Sequence, residues 1–525
     1  MKQAFALDCT LRDGGYCNEW RFGFSNIKKI VSHLITARVE VIECGFLTNK
    51  VVYDKDVSIF TDVSQLVEVI PKHNDSSKFV LMVNFGEYDF THLPPKKDSV
   101  IDGIRLAFHK TNRLEVMDAC RCIKDKGYDL YIQPMVSMLY STDEFEEMIC
   151  MLSKFSPKAL YIVDSFGMMH KEDVLRYFRI LERLLPSNVI IGFHSHNNLQ
   201  LAYSNAIILL ECNGEHSLVI DCSIYGMGRG AGNLNSELFL SELNAYYGKK
   251  YEIKPLLTIM DEVISRFYEE SPWGYSLPNY LSAKHMIHPN YANYLNSKRT
   301  LTVENIDEIF SMIGSEEGSE YNEDFISDLY VKYMSTGVSR NEHLFEIKKE
   351  SENRTVLLIA PGKSAIDEKN LVENFVKENN PIVISINHEY PIIASDYIFV
   401  SNIRRFKNIE RKLYCKTIST SNIKSLETYA SVDYFKLLNP IDCVRDNAGL
   451  MAIRFVLEEL NAKEVFIAGM DGYSPYIYSN FETREMAFVT SADRLNEMNV
   501  GLKKAIDLFS EMIDIHFITT SLLDK

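Results

Sequence analysis

Two histidines one residue apart are the most chemically pointed feature of the chain. They stand in Gly192-Phe193-His194-Ser195-His196-Asn197-Asn198. On a strand, side chains at i and i+2 share a face, so both imidazoles would enter one site. Imidazoles facing together suit a first-row divalent metal. The same spacing also fits two ordinary histidines near a strand end. A carboxylate that could complete the set lies in Thr10-Leu11-Arg12-Asp13-Gly14-Gly15. Asp13 with His194 and His196 would leave coordination positions open for a chelating substrate. Asp8 competes with Asp13 for that role. Arg12 either stabilises negative charge developing on a substrate oxygen or forms a salt bridge, for example with Glu43. In Val163-Asp164-Ser165-Phe166-Gly167 a carboxylate and a hydroxyl offer substrate hydrogen bonds or cap their own loop. The glycine-rich run from Gly226 to Asn233 permits close backbone approach and an anion site at the following helix. It is not read as a dinucleotide fingerprint, because it closes a series of strands and does not open one.

These residues need elements to hold them. Eight apolar runs, at 4–9, 39–46, 79–85, 103–108, 130–136, 159–164, 189–196 and 218–226, alternate with helix-like stretches such as 25–37 and 171–185. That alternation predicts parallel βαβ units, and the count predicts a closed (β/α)8 TIM barrel over residues 1–245, with an open doubly wound sheet as the alternative. In the barrel only the eighth strand separates Asp13 from the histidine pair. Active sites gather at the C-terminal ends of such strands, so the three side chains can converge.

Residues 246–345 read as a helical extension and 346–354 as a polar linker. Residues 355–525 read as a separate Rossmann-like α/β domain. In that domain Gly362-Lys363-Ser364 looks like the end of a phosphate loop, but position 357 is Leu357 where a glycine would be needed, so a Walker motif is rejected.

Composition narrows the partners. The 525 residues carry a formal net charge of −16, which disfavours nucleic acid and anionic membranes. Ten scattered cysteines without a CxxC pair, no signal-peptide pattern and no long apolar run lead us to expect a reduced, cytoplasmic protein.

Taken together, TLRDGG (10–15), VDSFG (163–167), GFHSHNN (192–198) and DCSIYGMGRGAGNLNSE (221–237) resemble the DRE-TIM metallolyase superfamily, the HMG-CoA-lyase-like or pyruvate-carboxyltransferase-type barrels. The nearest branch looks like the 4-hydroxy-2-oxovalerate aldolases, with similarity continuing into WGYSLPNYLSAKHMIHPNY (273–291). The resemblance implies a Mn²⁺ or Mg²⁺ site at Asp13, His194 and His196, with Asn233 as a fourth ligand or its neighbour. It implies that Arg12 stabilises a pyruvate-type enolate, that Ser165 contacts the substrate and that Tyr280 lies near the site. It further implies a lyase acting on a 2-oxo acid and an aldehyde, as a homo-oligomer or with a dehydrogenase partner. One departure stands out. The aldolases carry a histidine, the presumed base, three residues after the metal-binding aspartate, and here that residue is Tyr16. A phenol is a weaker base at neutral pH, so Tyr16, a metal-bound hydroxide, His109 and His288 all stay open. An acyl-CoA Claisen enzyme on the same barrel and a scaffold that has lost catalysis are the competing readings. The C-terminal domain faintly resembles sialyltransferase-like and MptE-like domains, which implies a nucleotide-sugar module, a glycosyltransferase or a scaffold.

Overall fold

The computed structural model describes residues 3–71, 77–298, 301–335, 343–474 and 492–524. Parts of the expected helical extension (336–342) and C-terminal domain (475–491) lie outside them. The chain divides into two compact units, 1–297 with 306–322, and 298–305 with 323–525.

The first unit is a closed barrel of eight parallel strands: β1 (Ala4–Asp8), β2 (Val41–Leu47), β3 (Lys78–Asn84), β4 (Gly103–Phe108), β5 (Asp129–Pro134), β6 (Ala159–Asp164), β7 (Ile190–Ser195) and β8 (Leu218–Cys222). Neighbours in sequence are neighbours in space, and β1 closes the ring by pairing with both β8 and β2. Leu7 is opposite Asp221 on one side and Val41 on the other. Amphipathic helices cover the outside. Helix α1 (Phe24–Thr36) buries Ile27, Ile30, Val31 and Leu34, the spacing of one helical face. Among the described residues the connection from β2 to β3 carries a two-residue strand, Ile59–Phe60, paired with the end of β2, and a 3₁₀ turn, and that from β3 to β4 carries only short 3₁₀ turns.

Strand alternation decides what enters the lumen. Leu7, Val41, Val80, Tyr131, Tyr161 and Val219 pack together in the interior. Two residues further along their strands, the same parity carries Val41 to Glu43 and Val219 to Asp221. The lumen is therefore apolar below and charged above, towards the C-terminal ends. At that end Asp8 receives hydrogen bonds from the Thr10 N–H (3.0 Å) and the Ser236 hydroxyl (2.7 Å). This fastens β1 to the first turn of helix α2 (Ser236–Tyr246). Burial pushes the Asp8 carboxyl up to about 6.

The expected helical stretch 246–345 is shared between the two units: residues up to 297 and 306–322 belong to the first, the others to the second. Residues 346–350 of the expected linker belong to a helix, Leu344–Glu350, which buries Leu344 and Ile347. The second unit holds a seven-stranded parallel sheet of β9 (Thr355–Ile359), β10 (Ile382–Ile386), β11 (Tyr397–Val400), β12 (Thr417–Thr420), β13 (Ala430–Val432), β14 (Glu464–Ala468) and β15 (Ile515–Phe517). Its order is β13-β12-β11-β10-β9-β14-β15, a doubly wound arrangement that switches direction between β9 and β14. At the switch, the Ser364 N–H and hydroxyl both donate to the Asp471 carboxylate, at 3.0 and 2.5 Å. A built-in carboxylate thus occupies the turn that resembled a phosphate loop. Among the described residues no helix is long and apolar enough to cross a membrane.

Ser236→Ala removes one of the donors to the buried Asp8. A loss of about 1–2 kcal/mol is expected in urea unfolding. Because the hydroxyl favours the charged carboxylate, the loss should grow as pH rises through 6, where Asp8 ionises, and stay at its smaller value below that.

Candidate metal and substrate site

Asp13 follows β1, while His194 and His196 sit on β7 and just past its end. One ligand atom from each lies within 4.8 Å of the others, and all three residues are buried. Burial raises the Asp13 pKa, but the guanidinium of Arg12, the two imidazoles and Arg229 outweigh it and hold the carboxyl well below the usual range. Burial presses the His196 pKa down to about 3, so that imidazole is neutral and has a lone pair to give.

Asn233 stands beside the group. A backbone bridge pairs it with His196. Its amide N–H₂ donates to Asp13 Oδ2 at 2.7 Å and to the Met227 carbonyl at 3.1 Å. Its Oδ1 and the Nδ1 of His196 are buried with no hydrogen-bond partner among the described residues. A divalent cation fits these observations: one anionic oxygen and two imidazoles form a candidate donor set for it. Gly228 keeps the loop close, since a Cβ there would stand 2.8 Å from Asp13 Oδ2.

Behind the cluster runs a chain of buried charges. Arg12 reaches Asp13 Oδ1 (2.5 Å) with Nη1 and Glu43 Oε2 (2.8 Å) with Nε. Glu43 Oε2 also meets Arg105 Nη1 at 2.7 Å. Arg105, fully buried and 5.0 Å from the Tyr161 ring centroid, pairs with Asp221. Asp221 Oδ2 stands 3.0 Å from His194 Nδ1. The carboxylate is an ion-pair neighbour of that ring. The Nη2 of Arg12 is buried without a hydrogen-bond partner among the described residues.

The family model for HMGL-like proteins matches residues 108–260. A 4-hydroxy-2-oxovalerate aldolase from Geobacillus genomosp. 3 is 29% identical over 248 residues, 46% of this chain and 71% of that protein. Another from Shewanella pealeana is 27% identical over 245 residues, again 46% and 71%. These likenesses support a DRE-TIM superfamily member in the barrel region. Among solved structures, the N-terminal domain of a putative aldolase from Bacteroides vulgatus is 25% identical, with a TM-score of 0.47, covering 56% of this chain and 96% of that one.

In the barrel a cavity of about 280 Å³ opens among the loops that follow the strands. Tyr16, Ser165, Arg229, His109 and His288 line it. The Ser165 hydroxyl oxygen accepts the Val136 N–H at 2.9 Å, so its own proton is free to be donated. Asp164 does not reach the cluster. It accepts the N–H groups of Met168 and Met169 and caps its loop, with burial raising its pKa to about 7. The Tyr16 phenol is pushed above its ordinary value, chiefly by desolvation and despite the opposing charge of Arg229. His288 faces Arg229 Nη1 across 2.8 Å, and burial followed by that charge holds its pKa well below the usual value.

The structure does not bring Tyr280 to this group. It is 39% exposed on the helix Leu277–Lys284 and does not line the cavity. Sequence reading did not single out Arg105, Asp221 or Arg229. For the first two a signal existed: a lone charge inside an otherwise apolar strand run, GIRLAF and LVIDC, with nowhere to go but the lumen.

Arg105→Met should be costly, because Glu43 and Asp221 would remain buried without their shared cation. About 3–5 kcal/mol is expected from denaturant unfolding followed by barrel-specific hydrogen exchange. Gly228→Ala should weaken Mn²⁺ binding by calorimetric titration and also lower the metal-free melting temperature, because its Cβ would displace the buried Asn233 and Asp13 side chains.

Proposed function

We propose that the barrel is a divalent-metal-dependent lyase of the 4-hydroxy-2-oxo acid aldolase type, cleaving or forming a C–C bond between pyruvate, as its enolate, and an aldehyde. One observation carries this reading. The unpartnered Nη2 of Arg12 is buried beside a convergent Asp13, His194 and His196, which is the layout needed where a keto oxygen gains negative charge. Mn²⁺ or Mg²⁺, held by those three residues with Asn233 as a fourth donor, supplies a Lewis acid for a 2-oxo acid.

The chain's own groups do the rest. Ser165 donates a hydrogen bond from its hydroxyl to the substrate. In cleavage, a base takes the 4-hydroxyl proton, the C3–C4 bond breaks, and the aldehyde leaves. The electron pair moves onto the keto oxygen, where Arg12 meets it, and protonation of C3 then gives pyruvate. No oxidation state changes overall, so no redox cofactor is required. Tyr16, with its raised pKa, acts in this scheme as a hydrogen-bond donor, and His109 and His288 line the cavity beside it. The C-terminal unit takes no part in this scheme.

The test is exchange of the pyruvate methyl protons in D₂O, followed by NMR. Exchange should require added Mn²⁺ or Mg²⁺, disappear with a chelator, and fall at least about 10³-fold in His194→Ala and in Arg12→Ala. Metal demonstrably bound with no exchange would overturn the reading.

A further inference from the structure

We propose that Arg229 binds the carboxylate of the 2-oxo acid, so that two arginines divide the substrate between them: Arg12 at the keto oxygen and Arg229 at the acid group. The inference rests on the aldolase reading above and adds a substrate-binding residue to it.

The loop fixes where Arg229 stands. Residues 226–233 fold back on the end of β7. The Asn197 N–H donates to the Gly232 carbonyl and the Ala231 N–H to Asn198 Oδ1, each at 2.8 Å. Gly230 has a φ of +67°, and a Cβ there would stand 2.7 Å from Asn198 Oδ1, so glycine is needed next to the arginine for the loop to lie this close. The half-buried Arg229 side chain lines the cavity, with its Cζ 5.3 Å from the Tyr16 ring centroid.

The charge of this guanidinium has no anionic partner. Nη1 donates to His288 Nε2 at 2.8 Å and Nη2 to the Ser165 carbonyl at 3.4 Å. Nε is buried with no hydrogen-bond partner among the described residues. A guanidinium offers five N–H donors, so these two neutral acceptors leave most of them unused. The two carboxylates on the cavity wall are turned elsewhere: Glu320 to His109 Nδ1 and Glu87 to the Asn84 amide, each at 3.3 Å. Phe85, Phe108, Met135, Val136 and Phe166 make up much of the remaining wall. A cation set among apolar side chains and neutral acceptors gains most from an anion that brings charge and hydrogen bonds together.

The position of the two arginines names that anion. At Asp13, Tyr16 and His196 burial is the first influence on the pKa, and the charges of both Arg12 and Arg229 act on each of the three. The two guanidiniums therefore flank the same side chains. A 2-oxo acid carries its carboxylate on the carbon next to the keto group. With the keto oxygen at Arg12, the acid group falls to Arg229 and to the neighbouring Ser165 hydroxyl. An anionic group on the aldehyde is the other source of such charge, and the experiment separates the two.

The full chain loaded with Mn²⁺ is titrated calorimetrically with pyruvate and with pyruvamide, its uncharged analogue. Pyruvate methyl-proton exchange is followed alongside with no aldehyde present. Arg229→Gln should weaken pyruvate binding about tenfold or more and raise the KM of exchange in proportion, with a smaller change in kcat. Pyruvamide binding should change less than about threefold, and Mn²⁺ affinity should not fall. Arg229→Lys keeps the charge without the planar fork and should recover part of the loss. Arg229→Ala serves the same purpose as the glutamine variant should that one fold poorly. Equal weakening of pyruvate and pyruvamide, the result for a clamp that merely holds the Ser165 loop, overturns the proposal, as does loss of Mn²⁺ binding. Unchanged pyruvate binding with slower addition to glyceraldehyde 3-phosphate also overturns it and gives Arg229 to the aldehyde. No exchange by the unmodified protein with metal bound sinks the aldolase reading itself, whereas intact exchange indifferent to Arg229 sinks only this proposal.

Discussion

Inside the barrel an unbroken line of charge runs from Asp13 through Arg12, Glu43 and Arg105 to Asp221 and His194. Its two ends are two of the three residues of the candidate metal cluster. Each ion would be expensive to bury alone. Each is instead held between partners of opposite sign, and the line returns to the place where a cation would sit. The positions of the ligands are therefore fixed from below, by groups that cannot move without stranding a neighbour in a medium with no water.

This constraint explains why a lumen that is apolar towards the bottom of the strands becomes ionic at the top. The lower residues, including Val41, Val80, Tyr131 and Val219, pack without polar atoms to satisfy, apart from the tyrosine hydroxyl. The upper ones trade packing for a rigid electrostatic frame. Such a frame needs little reorganisation when a substrate oxygen gains charge, and it leaves one guanidinium nitrogen, Arg12 Nη2, uncommitted. Asp8 and Asp164 stand at the same end of the barrel but do different work. Their donors are a backbone N–H and a hydroxyl in one case and backbone N–H groups in the other, and they fasten the loops that carry Asp13 and Ser165.

The second unit follows another logic. Its sheet switches direction between β9 and β14, the place where parallel α/β sheets usually take ligands. There Ser364 is already answered by Asp471, which in turn explains how a Gly-Lys-Ser turn exists without the rest of a phosphate loop.

Much was legible in the sequence because strand and helix periodicities are local. The eight apolar runs correspond to β1–β8, and the parity of a strand alone says that His194 and His196 face one way. The short strands β12, β13 and β15 were not legible: runs such as TIST and IHF have three or four residues and form only because neighbouring strands supply their hydrogen bonds. Which carboxylate joins the histidines was open between Asp8 and Asp13. Only closure of the barrel, which aims Asp13 at β7 and gives Asp8 to Ser236, decided it. Tertiary packing likewise turned Tyr280 outward, and it made one network of Glu43, Arg105 and Asp221, residues far apart in the chain. Periodicity is written in neighbouring residues, whereas the pairing of buried charges depends on which strands a closed sheet brings side by side.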